Sequence, residues 1–285
     1  MNLLIILLLC GLATTKVTLQ SHFGKKTLST NSDNILFTAI VFLTAAVLFC
    51  ADIPKASGQT WLFALLFAIL TVIFQLAYTK ALCVGNVSLT VMTVNLSMLF
   101  PSLVSVVFYH ESLTPARILG IGLTVLSLTL TVDFKIKEKL SRAWFLFTGG
   151  AALANGGIGI TQKIFGASDY SGEKKSFIAC AYAVAFLATI TLYLFTRSRG
   201  PGASRGKIAR TCMYAVAVGV VLAIFQWVNT YAILIMDGSF LFPMYSGGSI
   251  ILSTLVGILL FKDKLTGKQA VSMAVGIVAV VIMSI

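Results

Sequence analysis

Several apolar segments of this sequence carry amide, hydroxyl or amino side chains at helical spacing. Thr71, Gln75 and Tyr78 stand at i, i+4 and i+7, so they share one face of a helix. Polar side chains in the middle of a membrane helix usually face the bundle interior or a watery cavity. We predict a polar cavity lined by ten such side chains: Lys16, Gln20, Gln75, Tyr78, Asn95, Asn155, Gln162, Gln226, Asn229 and Tyr245.

The same residue types have a second role in membranes, which is to hydrogen-bond one helix to another. On that interpretation, the amide side chains hold the bundle together and contact no ligand. Both interpretations remain open at this stage. The paired glycines Gly156-Gly157 and Gly247-Gly248 are predicted to allow close helix packing. A nucleotide-binding turn is not predicted, because GGIG lacks the third spaced glycine and the preceding strand of that motif.

The charged residues within the apolar segments are basic. Lys16 lies about 20 Å along its helix at ~1.5 Å per residue, so snorkelling to the membrane surface explains it poorly. Lys80 and Lys163 lie near helix ends, and there snorkelling is the default interpretation. Acidic residues such as Glu111 and Asp237 occur only at the ends of apolar segments, which predicts loop or helix-cap roles.

The composition predicts an integral, multi-pass membrane protein. Of 285 residues, 58% are hydrophobic and 11% are charged, about half the charged fraction of a soluble domain. Charge-free runs at 81–109, 211–236 and 238–261 are long enough to cross a bilayer. We expect the plasma (inner) membrane. The net charge of +12 suits loops that face anionic lipid, and no nucleic-acid partner is predicted. Five isolated cysteines without a CxxC motif predict neither a metal nor a cofactor.

The apolar segments form two related halves. Phe74-Gln75 aligns with Phe225-Gln226, and similar turns and helices follow each pair. Because each half has five segments, an odd number, the second half inserts upside down, as in alternating-access carriers. We predict an all-α fold of ten transmembrane helices in two inverted five-helix repeats, at 1–134 and 143–285, joined by a charged linker at 135–142. The helices are predicted at 3–23, 34–51, 60–82, 88–109, 116–132, 143–166, 176–196, 211–235, 238–261 and 267–285.

Two stretches are similar to each other and to a known family. HESLTPARILGIG at 110–122 and KDKLTGKQAVSMAVG at 262–276 each place an acidic residue, Leu and Thr before the last helix of a half. AYTKAL and TYAIL end the third and eighth helices that come before them. In this duplicated order, nearly the whole chain resembles the EamA-like carriers of the drug/metabolite transporter superfamily.

The resemblance implies a central cavity between the halves, gated on alternate sides. Its first, third, fourth, sixth, eighth and ninth helices would line that cavity. Carriers of this family typically place both termini in the cytoplasm. The positive-inside rule gives the opposite orientation here, because most basic residues fall in loops on the side away from the termini. Both orientations therefore remain open.

These observations predict a secondary transporter, and not an enzyme. Proton exchange of a cationic drug normally uses a carboxylate within the membrane, and none is found mid-helix, so the expected substrate is a neutral, zwitterionic or anionic metabolite such as an amino acid. The alternatives are a flippase for a lipid or lipid-linked intermediate and a non-transporting scaffold. A lipid-modifying enzyme would need clustered acids or histidines, and HESL is the one such pairing. The expected partners are a small-molecule substrate and the lipid bilayer, with a homodimer left open.

Overall fold

The computed structural model describes residues 2–27, 31–84, 87–111, 113–131, 141–197, 205–261 and 267–284, and this part of the chain is all-helical. Short 3-10 turns at Cys50–Lys55 and Ser171–Glu173 accompany the α-helices. Within the described ranges the α-helices are α1 (Asn2–Thr27), α2 (Asn31–Leu48), α3 (Gly58–Val84), α4 (Val87–Leu96), α5 (Leu99–Tyr109), α6 (Pro115–Thr131), α7 (Arg142–Gly166), α8 (Lys174–Arg197), α9 (Arg205–Ile235), α10 (Gly238–Phe261) and α11 (Gly267–Ser284).

The outer surface of the bundle is apolar. Leu4, Leu146 and Phe195 are more than 70% exposed, whereas many interior positions hold alanine, serine or threonine. Small residues inside and large apolar residues outside are typical of helices that pack together in lipid. Five of the described helical segments are long and apolar enough to cross a membrane: Asn2–Gln20, Gly58–Ala81, Arg142–Gly166, Ser171–Thr196 and Arg210–Ile235. The predicted all-helical, multi-pass membrane class is confirmed.

Two apolar clusters join the predicted halves. In the larger one, the Phe67 ring of α3 meets the Phe177 ring of α8 edge-on, with 5.2 Å between centroids. Phe177 also stacks on Phe165 of α7 at 4.3 Å. The smaller cluster contains Leu9 of α1 and Met244 of α10, and neither side chain is exposed. Since each cluster takes residues from both halves, the halves are packed into one bundle.

The fourth predicted segment is broken. One helix was expected over 88–109, but α4 ends at Leu96 and α5 begins at Leu99. Pro101 explains the break, because proline has no N–H to donate and its ring clashes with the carbonyl four residues earlier, that of Ser97. Around the break, Met98 N–H donates to the carbonyl of Asn95 at 3.2 Å, a shorter-range bond than that of an α-helix.

Helix α7 packs closely against this break. A Cβ atom on Gly156 would lie 2.6 Å from a ring carbon of Phe100 and 3.1 Å from the carbonyl oxygen of Ser97. A Cβ atom on Gly159 would lie 2.7 Å from Cγ of Pro101. Glycine is therefore required at both positions for α7 to approach α5. The close-packing role predicted for Gly156 is confirmed.

The ends of the second half differ slightly from the prediction. Helix α7 begins at Arg142, where the Ser141 hydroxyl caps it by accepting a hydrogen bond from Trp144 N–H at 3.1 Å. Helix α9 begins at Arg205, several residues before the predicted start. The predicted linker at 135–142 lies outside the described residues as far as residue 140.

Helices α6 and α11 cross at two serines. The Ser127 hydroxyl donates to the Ser272 carbonyl at 2.8 Å, and the Ser272 hydroxyl donates to the Ser127 carbonyl at 2.7 Å. Both serines are fully buried. Small hydroxyl residues at such a crossing let the two backbones approach closely, which is how helices associate in lipid.

Candidate functional site

Charged side chains from four helix ends meet at one end of the bundle. The Glu111 carboxylate follows α5 and accepts hydrogen bonds from the backbone N–H groups of Gly238 at 3.0 Å and Ser239 at 2.8 Å. It also pairs with the ammonium group of Lys163, in the last turn of α7. One carboxylate therefore neutralises a lysine and caps the N-terminus of α10, where the helix dipole favours an anion.

A second ion pair lies beside the first. The Arg117 guanidinium, in the first turn of α6, binds the Asp237 carboxylate at 2.9 Å and donates to the Ser239 hydroxyl at 3.2 Å. We call Glu111, Arg117, Lys163 and Asp237 the ionic cluster. Two of its members come from the predicted first half and two from the second. The cluster therefore ties the two halves together at this end of the helices.

The electrostatics favour the charged form of Glu111. Burial alone raises the pKa of this carboxyl, but the Lys163 ammonium and the N–H groups of Ser239 and Gly238 outweigh burial and hold the pKa below its ordinary value. The helix-cap role predicted for Glu111 is confirmed, although the capped helix lies in the other half. The prediction that Lys163 extends to the membrane surface is wrong, because its side chain is only 11% exposed and pairs with a carboxylate.

Two of the predicted cavity residues, Gln162 and Asn229, form a hydrogen-bonded group between α7 and α9. The Gln162 amide donates to the Thr230 hydroxyl at 3.1 Å, and the Asn229 amide donates to the Gln162 carbonyl oxygen at 3.0 Å. Gln226, one turn away, hydrogen-bonds to Tyr182 of α8. In this conformation these amides join helices, so a role in ligand binding for them stays a prediction.

The Asn155 side chain hydrogen-bonds to the break between α4 and α5. Its side-chain amide donates to the carbonyl of Val94 at 3.1 Å and to the Ser97 hydroxyl at 3.0 Å. Both acceptors lie at the break between α4 and α5, where backbone groups lose their helical partners. Asn95 lies on the same stretch, and its carbonyl oxygen accepts from the Ser246 hydroxyl of α10 at 3.5 Å.

Replacing Asn155 with leucine is expected to lower the free energy of unfolding by about 1–2 kcal/mol, because the Val94 carbonyl and the Ser97 hydroxyl would each lose a buried hydrogen bond. The Val94 carbonyl would keep one donor, the Ser97 hydroxyl at 2.6 Å. Unfolding of the purified protein in mixed micelles with rising SDS content measures this change. Leu153→Ala is the matched control, since Leu153 is 69% exposed on the same helix. An Asn155→Leu variant as stable as the wild type would show that the bond to Val94 contributes little.

The remaining predicted residues lie around a second region of the bundle. The Lys16 ammonium lies 5.8 Å from the ring centroid of Phe225 on α9. Phe225 in turn contacts Tyr245 of α10, with 5.9 Å between ring centroids. Tyr78 of α3 interacts electrostatically with Tyr245. Gln20 and Gln75 are partly buried on α1 and α3. The structure thus links Lys16 to Tyr245 through the Phe225 ring, and Tyr78 interacts with the same tyrosine.

No local sequence pattern predicts the ionic cluster. Glu111 and Lys163 are 52 residues apart, and Glu111 and Ser239 are 128 apart. A lone acid after one helix and a lone lysine at the end of another give no local sign that they meet. The one available signal was that both residues stand at helix ends with an unmatched charge.

An apolar exterior, small-residue packing and polar groups between helices define an integral, multi-pass membrane protein. Residues 2–133 match the model of the EamA-like transporter family. The matched family consists of membrane transporters of the drug/metabolite transporter superfamily.

Comparison with solved structures supports the fold over the whole chain. Among 29 matching chains is a crystal structure of a protein that is 17% identical, with a TM-score of 0.74. The match covers 99% of this chain and 95% of the other one. A likeness at this identity concerns the fold alone. A search of curated proteins found no significant match.

Proposed function

We propose that the protein is a secondary transporter that moves a small polar metabolite across the membrane by alternating access. The ionic cluster is the observation that carries this proposal. It fastens the two halves at one end through ion pairs and a helix cap, and water can replace these contacts when the halves separate. Opening this end would therefore expose charged groups to solvent and little apolar surface, as a reversible gate requires.

The proposed architecture is ten crossings in two inverted repeats, with α4 and α5 together counted as one crossing. The helix packing supports this arrangement. If α1 to α6 correspond in order to α7 to α11, then the packed pair α3 and α7 has the pair α9 and α1 as its image, and both occur. Likewise α2 packs on α9 as α8 packs on α3, and α1 packs on α10 as α7 packs on α4 and α5. Under the same correspondence, the packed pair α2 and α8 is its own image, and so is the packed pair α6 and α11.

The proposed substrate is neutral, zwitterionic or anionic. Three ion pairs of the described residues use Asp52, Glu111 and Asp237, and these three acids lie outside the α-helices. An exchanger of cations for protons needs a carboxylate along the substrate path that holds either one. The polar groups between the helices are instead amides, hydroxyls and the amine of Lys16, and these bind neutral or negatively charged groups.

The test begins with purified protein screened for ligands that raise its thermal stability, among amino acids, nucleotides, sugars, organic acids and organic cations. A stabilising compound is then loaded into proteoliposomes, and uptake of its radiolabelled form against the unlabelled pool is measured. We expect counterflow in the wild type and at least a tenfold slower rate in Glu111→Gln. Asp52→Asn is the matched control, because Asp52 pairs with Lys55 inside a single loop.

The alternatives predict other outcomes. A flippase would move a fluorescent phospholipid between leaflets of the same proteoliposomes, with no counterflow of soluble compounds. A scaffold would do neither. Counterflow of an organic cation that depends on Glu111 or Asp237 would contradict the proposed substrate class, while leaving the transport mechanism in place.

A further inference from the structure

The region around Lys16 has the features of a binding site. We call Lys16, Tyr78, Phe225 and Tyr245 the Lys16 pocket. Its members come from α1, α3, α9 and α10, two helices from each predicted half. The stacking of Phe74 on Tyr78, with 5.3 Å between ring centroids, holds the α3 side of the pocket. A site shared by both halves is where alternating access would expose a ligand to each side in turn.

The Lys16 ammonium has no acidic partner in the described part of the chain. Three ion pairs there join Lys55 to Asp52, Arg117 to Asp237 and Lys163 to Glu111. The sequence explains why, because none of the nine acidic residues falls within the interior of an apolar segment: they are Asp33, Asp52, Glu111, Asp133, Glu138, Asp169, Glu173, Asp237 and Asp263. The described residues therefore supply no counter-ion for Lys16, which leaves its charge available to a bound ligand.

The position of Lys16 in an apolar helix makes the missing acidic partner energetically important. It lies 14 residues beyond Asn2, which is about 21 Å along the 26-residue helix α1 and within the apolar stretch Asn2–Gln20 that is long enough to cross a membrane. An ammonium group in an apolar region is costly unless it is paired. The face of the Phe225 ring attracts a cation but cannot neutralise it.

We propose that the Lys16 pocket binds the anionic group of the substrate, a carboxylate or an equivalent acid, with the apolar body of the substrate against Phe225, Tyr78 and Tyr245. This inference rests on the proposed transport function and narrows its substrate class to organic anions and zwitterions. The ammonium supplies three donors to the acid group, and the aromatic rings select a flat or apolar remainder.

The experiment compares matched probes on the purified full-length protein. Benzoate, phenyl phosphate and benzenesulfonate are titrated beside neutral benzamide and cationic benzylamine, with the thermal midpoint as the measurement. We expect at least one of the anions to bind at least tenfold more tightly than benzamide. Lys16→Gln should remove that difference, and Lys16→Arg should retain most of it. Lys80→Gln is the control, since Lys80 also lies over an aromatic ring, at 5.5 Å from Phe147, near the end of α3.

Equal binding of the anions and benzamide to the wild type would overturn the proposal, and so would anion binding that survives in a folded Lys16→Gln variant. The wild-type comparison decides the question even if Lys16→Gln does not fold. Counterflow without dependence on Lys16 would reject the Lys16 pocket and keep the transporter. Binding through Lys16 without any counterflow would do the reverse.

Discussion

Replacing Glu111 with glutamine is expected to lower the free energy of unfolding by about 2–4 kcal/mol, because the Lys163 ammonium is left without a counter-charge in a nearly buried position. Glutamine keeps an oxygen that can accept from Ser239 N–H, so the lost term is the charge and not the cap geometry. The N-terminus of α10 also loses the anion that its dipole favours. Unfolding in mixed micelles with rising SDS content measures the change.

A double-mutant cycle separates the pair from its surroundings. Lys163→Met removes the cation, and in the double variant with Glu111→Gln no charge is left unpaired. The double variant is expected to be more stable than the sum of the two single changes predicts. Additive losses would mean that Glu111 and Lys163 do not interact. Exchange of the two charges is not expected to restore stability, because it would place a cation at the N-terminus of α10.

Low pH is expected to lower the stability of the wild type in the same way as Glu111→Gln, because it neutralises the same carboxylate. The pKa of Glu111 lies below its ordinary value of 4.5, so the carboxylate stabilises the folded protein above that pH, and the contribution is lost as pH falls through the lowered pKa. Lys163 pairs with this carboxylate, and Arg117 and Asp237 pair with each other beside Ser239. The stability difference between wild type and Glu111→Gln is expected to be full at pH 7 and to shrink below pH 4.5. A difference that persists undiminished at the acid limit would point to a cause other than the charge.

Gly159→Val is expected to be the second large effect, with a loss of about 3 kcal/mol from overpacking. The first carbon of any side chain at this position would lie 2.7 Å from Cγ of Pro101, and a proline ring cannot rotate away. Helix α7 would have to separate from α5 and from the break that Asn155 supports. The same SDS titration measures this loss. Gly150→Val on the same helix is the control, since nothing lies within 4 Å of its added Cβ. Equal stability of the two variants would show that α7 can shift without cost.

The class of the protein could be predicted from composition, because side chains that face lipid must be apolar. Long apolar segments occur throughout the chain. Helix positions were also predictable, except that Pro101 splits the fourth segment and α9 begins earlier than expected, at Arg205. That break was missed because proline is common in membrane helices and most interrupt them less severely. The proposed inverted repeat is readable from Phe74-Gln75 and Phe225-Gln226 because duplication preserves such pairs.

The candidate site was predicted less completely. Periodicity correctly places Gln162 and Asn229 inside the bundle, but it cannot distinguish a side chain that meets another helix from one that meets a ligand. That difference depends on which helices are neighbours. The Glu111 and Lys163 pair shows the same limit, since a contact across 52 residues is set by packing and leaves no local pattern. Lys16 stands out in the sequence because a mid-helix charge is unusual wherever the helix packs.

The charge of Lys16 makes the transport cycle of the proposed carrier sensitive to the membrane potential. If the substrate is an organic anion, the carrier returns empty with a net positive charge in its core and travels neutral at this site when the anion is bound. The membrane potential then acts on the empty step and not on the loaded one. A charge that crosses the whole field gains or loses about 2.3 kcal/mol per 100 mV, so voltage would set the direction of net flow without a coupling ion. Such a transporter would draw its driving force from the electrical gradient across the membrane.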